Sequence, residues 1–205
     1  MDNLNSGKHL ILVDGSGFIF RAYHALPPLR KSDGTPTGAV SGYCNMLFKL
    51  INELKEFEAT HIAVVFDHKD KTFRSDIYPD YKANRPPAPE DLVPQFQLIR
   101  DATEAFGFFA IEKKGYEADD IIATLAQNAT EEGAFVTIFS SDKDLMQLVS
   151  HDIKMYDPIR NIFIDIDKVK EKFGVTPDKV IDVQALIGDK VDNIPGVPGV
   201  GIKTA

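Results

Sequence analysis

Acidic side chains follow three apolar segments of the chain, at the point where each segment ends. They are Asp14 after residues 10–13, Asp67 after residues 62–66 and Asp142 after residues 135–141. If these segments are neighbouring parallel strands, their carboxyl ends meet at one edge of a sheet, where open α/β sheets place their active sites. Carboxylates gathered at one edge repel one another unless a cation lies between them. The pattern therefore predicts a divalent-metal site.

Six further acidic residues fall together at predicted helix openings and turns. A single aspartate at such a position is usually a cap or turn residue. Capping gives no reason for pairs of acidic residues to gather at one edge of the sheet. The added candidates are Glu117, Asp119 and Asp120 in the first turn of a helix, Asp144 beside Asp142, and Asp189 with Asp192 in a turn. With the three strand-end aspartates they make nine candidate metal ligands.

Ligation by carboxylates alone selects hard cations such as Mg²⁺ or Mn²⁺. Two such ions about 4 Å apart are the usual arrangement for in-line hydrolysis of a phosphodiester. The net charge of −8 argues against a nucleic-acid partner at first sight. Removing the nine candidates from the 31 acidic residues leaves 22, against 23 Lys and Arg side chains. The excess of acid is therefore concentrated in the predicted site.

The composition bounds the class of protein. A chain of 205 residues can bury one sizeable core. Its single cysteine, Cys44, excludes an intrachain disulfide and fits a reducing compartment. No signal pattern and no apolar segment of membrane-spanning length is evident, so we expect a cytoplasmic protein without a membrane partner.

Alternating apolar and amphipathic segments predict an α/β domain, with a central, mostly parallel sheet and helices on both faces. The pattern predicts helices at 38–55, 94–106, 167–173 and 177–187, a strand at 108–111, and a hairpin at 153–156 and 161–164. Residues 68–94 differ, because this polar segment contains five prolines and exceeds an ordinary connection in length. We expect it to be functional or mobile.

Seven sequence motifs and a Gly/Pro-rich hairpin occur in an order that resembles the 5′-3′ exonuclease (flap endonuclease) family, found at the N-terminus of bacterial DNA polymerase I. The motifs are residues 12–16, 21–24, 66–67, 81–87, 117–120, 141–144 and 188–193, and the hairpin is 195–201. The resemblance covers essentially the whole chain and implies a PIN-like nuclease fold.

The resemblance implies metal-dependent hydrolysis of DNA at 5′ ends, flaps and nicks, and of RNA primers, in replication and repair. All nine carboxylates match the family's positions for two or more Mg²⁺ or Mn²⁺ ions. Residues 68–94 match a helical arch through which the 5′ strand passes. Four residues match positions near the scissile phosphate and are the candidate catalytic residues: Arg21, Tyr23, Lys82 and Arg85.

The candidate DNA contacts lie in two segments. Basic groups interleaved with aromatic rings suit the phosphates and bases of a single strand, and the arch offers Phe73, Arg74, Tyr81, Lys82 and Arg85. Gly196, Gly199 and Gly201 resemble the hairpin of a helix–hairpin–helix motif, whose backbone N–H groups approach phosphate and which in this family binds K⁺.

The predicted organisation is a single domain with two parts. Residues 1–175 form the nuclease core and 176–205 the start of a helix–hairpin–helix region. Since the chain stops at Ala205, where a second helix is expected, we expect a truncated motif and a polymerase region after it in a longer protein.

Two alternatives stay open. A PIN-type ribonuclease would share the sheet and the carboxylates, but such domains usually lack the arch and the hairpin. A non-catalytic DNA-binding module would not need an intact set of carboxylates.

Overall fold

Six strands form the central sheet of the computed structural model, which describes residues 7–54 and 56–205. The strands are β1 (His9–Asp14), β2 (His61–Val65), β3 (Phe109–Ile111), β4 (Phe135–Phe139), β5 (Ile153–Asp157) and β6 (Ile162–Ile164). Their order is β3-β2-β1-β4-β5-β6, and every neighbouring pair is parallel except the β5–β6 hairpin. The three apolar segments are therefore adjacent parallel strands, β2, β1 and β4, as predicted.

Seven α-helices connect or follow these strands in the described residues. They are α1 (Gly15–Ala25), α2 (Gly38–Leu54), α3 (Phe73–Ile77), α4 (Gln95–Ala105), α5 (Ala118–Glu131), α6 (Ile166–Phe173) and α7 (Val180–Ile187), with 3₁₀ turns at Asp144–Leu148 and Pro177–Lys179. The predicted helix at 38–55 is α2, whose expected last residue, Lys55, lies outside the described residues.

The helices cover both faces of the sheet. Because successive residues of a strand point to opposite faces, Leu12 of β1 packs in one apolar layer and its neighbours Ile11 and Val13 pack in the other. The Leu12 layer is completed by α5, α6 and α7, and the opposite layer by α1, α2 and α4. The predicted α/β class is confirmed.

Three predicted boundaries were wrong. β2 ends at Val65 and β4 at Phe139, so Asp67 and Asp142 lie in the loops that follow, whereas Asp14 is the last residue of β1. After β4 the Ser140 hydroxyl accepts the Asp142 N–H at 3.0 Å, which bends the chain out of the sheet. The predicted helix at 177–187 is split at Val180, where a 3₁₀ turn gives way to α7.

The segment 68–94 contains one α-helix, the five-residue α3, followed by turns. Prolines lack a backbone N–H and disfavour helical conformation in the preceding residue, which accounts for the irregular backbone after Tyr78. A small hairpin is formed by β7 (Gly188–Asp189) and β8 (Ile194–Pro195). The Gly/Pro-rich segment predicted as a hairpin at 195–201 follows it and contains turns without strand pairing after Pro195. No helix in the described part of the chain is both long and apolar enough to cross a membrane.

The start of α1 packs tightly against β2. A Cβ atom added to Gly15 would lie 2.4 Å from the ring of Phe66 and 2.9 Å from Val64. Overpacking of a well-packed core costs about 1–3 kcal/mol, so we expect Gly15→Ala to lower the free energy of unfolding by about 2 kcal/mol in urea titrations. Gly201→Ala is the matched control, because no atom lies within 4 Å of its added methyl group. Equal losses in the two variants would contradict this packing.

Candidate active site

The carboxyl edge of the sheet brings Asp14 into a buried position. Asp14 is the N-cap of α1, where its side chain accepts hydrogen bonds from the Gly17 N–H at 2.9 Å and the Ser140 hydroxyl at 2.8 Å. Burial raises the pKa of Asp14 to about 6, and the nearby charges of Asp67 and Asp142 add to the rise against both hydrogen bonds. Ser140 was not among the predicted residues, although its place just after an apolar strand could have indicated a supporting contact.

Asp119, in the first turn of α5, faces the same point. Burial raises the pKa of its carboxyl to about 8, with further contributions from Asp14, Asp142 and Asp67. The start of α5 is held there because the Ala118 N–H donates to Asp67 at 2.8 Å. We call Asp14, Asp67, Asp119 and Asp142 the central carboxylates, because the charges of Asp67 and Asp142 help to raise the pKa values of Asp14 and Asp119.

Three other candidate ligands are paired with basic side chains of the segment 68–94. The pairs are Arg74 with Asp120, Lys82 with Glu117, and Arg85 with Asp192. The phenol of Tyr81 joins two of these pairs by hydrogen bonds to Glu117 at 3.0 Å and Asp192 at 3.1 Å. We call Glu117, Asp120 and Asp192 the outer carboxylates.

Arg74 makes the most regular of these contacts. Its guanidinium donates two parallel hydrogen bonds of 2.7 Å to Asp120, which also accepts the Glu117 N–H at 2.9 Å. Partial burial opposes the charge, yet these hydrogen bonds hold the pKa of Asp120 below its usual range. Asp120 also closes the capping box of α5 with Glu117. This aspartate is thus engaged both in a helix cap and in an ion pair.

The two remaining candidates lie beside Lys143. Its ammonium group donates to Asp189 at 2.6 Å and lies 4.0 Å from Asp144. Asp189 also accepts the Val191 N–H at 2.7 Å. Burial opposes ionisation, but the Lys143 bond and the backbone donors keep the pKa of Asp189 low. For Asp144, burial and the charge of Asp142 raise the pKa.

In the described residues, no group of three His, Cys, Asp or Glu side chains is arranged so that it could bind one metal ion together. The physical reason is visible in the outer carboxylates, which hold Arg and Lys side chains. The central carboxylates nevertheless fit a hard divalent cation, because they offer only oxygen donors and none of them forms an ion pair within the described residues. The charge of Lys82 offsets only part of the rise in the pKa of Asp119.

A cavity of about 730 Å³ opens beside the carboxylates. One side carries Asp119, Asp144 and outer carboxylates, and the other is apolar. The apolar side is lined by Ile77, Leu145, Leu148, Ile181 and Ile194, with Tyr78 and Tyr81 nearby. These aliphatic residues could not be recognised from the sequence, because single apolar positions in short helices resemble ordinary core. The cavity therefore gives access to the acidic groups along an apolar wall.

Two predicted catalytic residues lie elsewhere. Arg21 lines a separate small cavity with Phe18 and Phe139, and one of its guanidinium nitrogens is buried without a hydrogen-bond partner among the described residues. Tyr23 donates a hydrogen bond of 2.9 Å to Asp91 beside another cavity, of about 240 Å³. The structure thus does not bring these two side chains into contact with the candidate carboxylates.

The remaining predicted DNA contacts differ in their surroundings. Phe73 is 42% exposed, and the Arg74 guanidinium lies 4.7 Å from the centroid of its ring. Gly196 packs directly on the backbone of Ile187, where a Cβ atom would lie 2.3 Å from the carbonyl carbon. Gly199 and Gly201 are exposed and open. Gly196 therefore has a packing role in the structure, and the other two glycines are accessible.

Residues 9–174 match the family model described as 5′-3′ exonuclease, N-terminal resolvase-like domain. The chain belongs to the 5′-3′ exonuclease family. Residues 175–205 match a second model, 5′-3′ exonuclease, C-terminal SAM fold. The predicted family is thereby confirmed, and the site residues stay predictions.

Relatives and a solved structure extend this result. DNA polymerase I of Rhizobium leguminosarum is 60% identical over 98% of this chain, and the chain spans 20% of that protein. The 5′-3′ exonuclease of Aquifex aeolicus is 46% identical over 97% of the chain, which covers 68% of that protein. The chain thus spans about a fifth of the length of the polymerase relative.

The fold is that of a bacteriophage T5 flap endonuclease solved in complex with DNA and metal ions. The match covers 96% of this chain and 72% of the phage chain, with a TM-score of 0.76 and 25% identity. The predicted flap-nuclease fold is confirmed.

The raised pKa of Asp119 predicts an unusual pH dependence of stability. A carboxyl group whose pKa is raised by folding stabilises the protein while protonated, and that contribution is lost as the pH rises through about 8. In chelator, we therefore expect the free energy of unfolding to fall between pH 5 and pH 9, and Asp119→Asn to reduce the fall. Since one pKa unit corresponds to about 1.4 kcal/mol, the variant should be more stable than wild type by at least about that amount at pH 9.

The measurement is urea denaturation at several pH values, with Asp178→Asn as control at an exposed position. A variant that follows the wild-type curve at every pH would show that Asp119 ionises freely.

Proposed function

We propose that the chain is a divalent-metal-dependent nuclease domain that hydrolyses phosphodiesters at 5′ ends and 5′ flaps of DNA. The observation that carries this is the group of central carboxylates, in which burial and the neighbouring carboxylates raise the pKa values of Asp14 and Asp119. They lie at the carboxyl edge of a parallel sheet, next to a segment whose basic side chains reach the same place. Family membership supports the same reaction.

The proposal also covers the metal ligands, the DNA substrate and the protein context of this domain. Mg²⁺ or Mn²⁺ would be held by the central carboxylates, with the remaining five candidate carboxylates as further ligands, and K⁺ by the hairpin near Gly199. The DNA partner would carry a 5′ flap, a nick or an RNA primer. The polymerase relatives support a polymerase region in the same protein and a role in replication and repair. The cytoplasmic location stays a prediction.

Divalent cations bound here would supply an acidified water and neutralise charge on the phosphate. The chain's own contribution is positioning and charge. Lys82 and Arg85 pair with outer carboxylates in the structure. On arrival of a nucleic acid, the same two groups can exchange a carboxylate for a phosphate oxygen, since both are anionic acceptors of charge-assisted hydrogen bonds. The apolar side of the cavity borders the acidic groups.

Removal of one central carboxylate should abolish cleavage without unfolding the protein. We expect Asp119→Asn and Asp142→Asn to lower kcat on a 5′-flap DNA by about 10²-fold or more, because each loses a charged ligand. Asp178→Asn, at an exposed position, is the control. Unchanged turnover in both variants would contradict the metal assignment.

The arch assignment has its own test. We expect Lys82→Ala and Arg85→Ala to lower flap cleavage by about tenfold or more, since each loses a cationic group close to the carboxylates. Lys179→Ala, whose exposed side chain pairs with Asp182, is the control. If both arch variants cut like wild type, the segment 68–94 does not take part in the reaction.

One assay separates the three functional hypotheses. Flap DNA, single-stranded RNA and blunt duplex DNA are incubated with Mg²⁺ and, in parallel, with EDTA. The proposal expects cleavage of flap DNA that EDTA abolishes. Cleavage confined to the RNA would favour a PIN-type ribonuclease, and binding of DNA without cleavage would favour a non-catalytic module.

A further inference from the structure

Two asparagines join the segment 68–94 to the β7–β8 turn, formed by residues 190–193. The Asn84 side-chain amide donates to the Lys190 carbonyl at 2.8 Å. In the opposite direction, the Asn193 amide donates to the Asp80 carbonyl, also at 2.8 Å. Between them, the Lys82 N–H donates to the Asp192 carbonyl at 2.9 Å. The turn of residues 80–84 is therefore held against the β7–β8 turn by three hydrogen bonds that involve backbone groups.

The backbone at the centre of this contact is constrained. Lys82 has φ of 56° and Asn193 has φ of 59°, both in the left-handed region. That region is tolerated by asparagine but is uncommon for lysine. Such a conformation persists only where neighbouring contacts hold it. For Lys82, the hydrogen bond of its own N–H and those of Asn84 and Asn193 on either side supply these contacts.

The constraint sets the direction of two basic side chains. With the backbone in this conformation, the Lys82 ammonium reaches Glu117 at 2.9 Å and Arg85 reaches Asp192. Asn84 lies between these two residues in the sequence, and Asn193 follows Asp192 directly. Each asparagine thus fixes the backbone next to a charged partner without itself touching the charge.

We propose that Asn84 and Asn193 are positioning residues, which hold Lys82 and Arg85 at the carboxylates by tying the 80–84 turn to the β7–β8 turn. Their effect on catalysis rests on the proposed function. The hydrogen-bonded contact between the 80–84 turn and the β7–β8 turn, which we call the tie, does not depend on it. Both amides lie in exposed surroundings. Hydrogen bonds that compete with water are modest in strength, so the tie can open when a strand enters and close on it afterwards.

The substitutions follow from the local conformation. Asn193→Gly keeps the left-handed backbone accessible and removes only the amide. Asn84→Ala removes the other amide, and Asn84→Asp keeps the shape of the side chain while removing its donor. Asn161→Gly is the matched control, because Asn161 has the same φ of 59° in the turn between β5 and β6.

The kinetic test measures kcat and KM separately on 5′-flap DNA. We expect Asn193→Gly and Asn84→Ala to lower kcat by about tenfold, with a smaller change in KM, and Asn161→Gly to leave kcat within about twofold of wild type. In a background that carries both Lys82→Ala and Arg85→Ala, the asparagine variants should have little further effect, since they act through those two side chains. Fully additive losses would overturn the positioning role.

A second readout needs neither metal nor substrate. Trypsin cuts after Lys82 only when the 80–84 turn opens, and cleavage then tracks the population of the open form. We expect Asn193→Gly, Asn84→Ala and Asn84→Asp to speed this cut by about threefold or more in chelator. Unchanged tryptic rates in all three variants would overturn the tie. A wild-type protein that cuts no flap would instead contradict the proposed function, while the tryptic result would still decide the contact.

Discussion

Electrostatic repulsion at the carboxyl edge of the sheet is the constraint on which the rest of the site depends. Asp14, Asp189 and Asp192 are each at most 9% exposed, so water cannot screen them well. Buried charges of one sign must be paired, protonated or bound to a cation. The structure uses the first solution for the outer carboxylates and for Asp189, which pair with basic side chains. Among the central carboxylates, Asp14 and Asp119 have raised pKa values.

Compensation comes from segments that are remote in sequence. Arg74, Lys82 and Arg85 belong to an irregular segment between β2 and α4, and Lys143 follows β4. Because these groups hold the outer carboxylates and no residue from 68 to 91 is buried, this part of the segment is fixed to the core by charge and by hydrogen bonds more than by apolar packing. Leu92, which is fully buried, anchors the end of the segment in the core. Residues 68–91 can therefore move without exposing core. The basic groups of this part therefore serve the folded protein and remain available to a phosphate.

The sequence could predict the sheet and the set of acids, because both follow from local rules. An apolar segment that ends on aspartate indicates a strand and the position of its carboxyl end. Three such segments were enough to predict that β2, β1 and β4 are neighbouring strands. It could not predict which side chains meet across loops. Arg21 and Tyr23 were assigned by motif, and in the structure they line other cavities. Asn84 and Asn193 make contacts across more than 100 residues, which no periodicity encodes.

The balance of charge bears on the number of cations. Nine carboxylates gather in this region, and four basic side chains, Arg74, Lys82, Arg85 and Lys143, pair with members of the group. When all nine are ionised, as metal binding requires, nine negative charges against four positive charges leave a deficit of five. One divalent cation would leave a strongly negative site, which repels a phosphodiester at short range in a medium of low dielectric constant. Two divalent cations nearly cancel the deficit, so a phosphate could approach while the basic side chains turn from carboxylate to substrate. The acidic residues give the chain a net charge unlike that of a nucleic-acid binder. Under the proposed function, the same residues bind the cations that attract the nucleic acid.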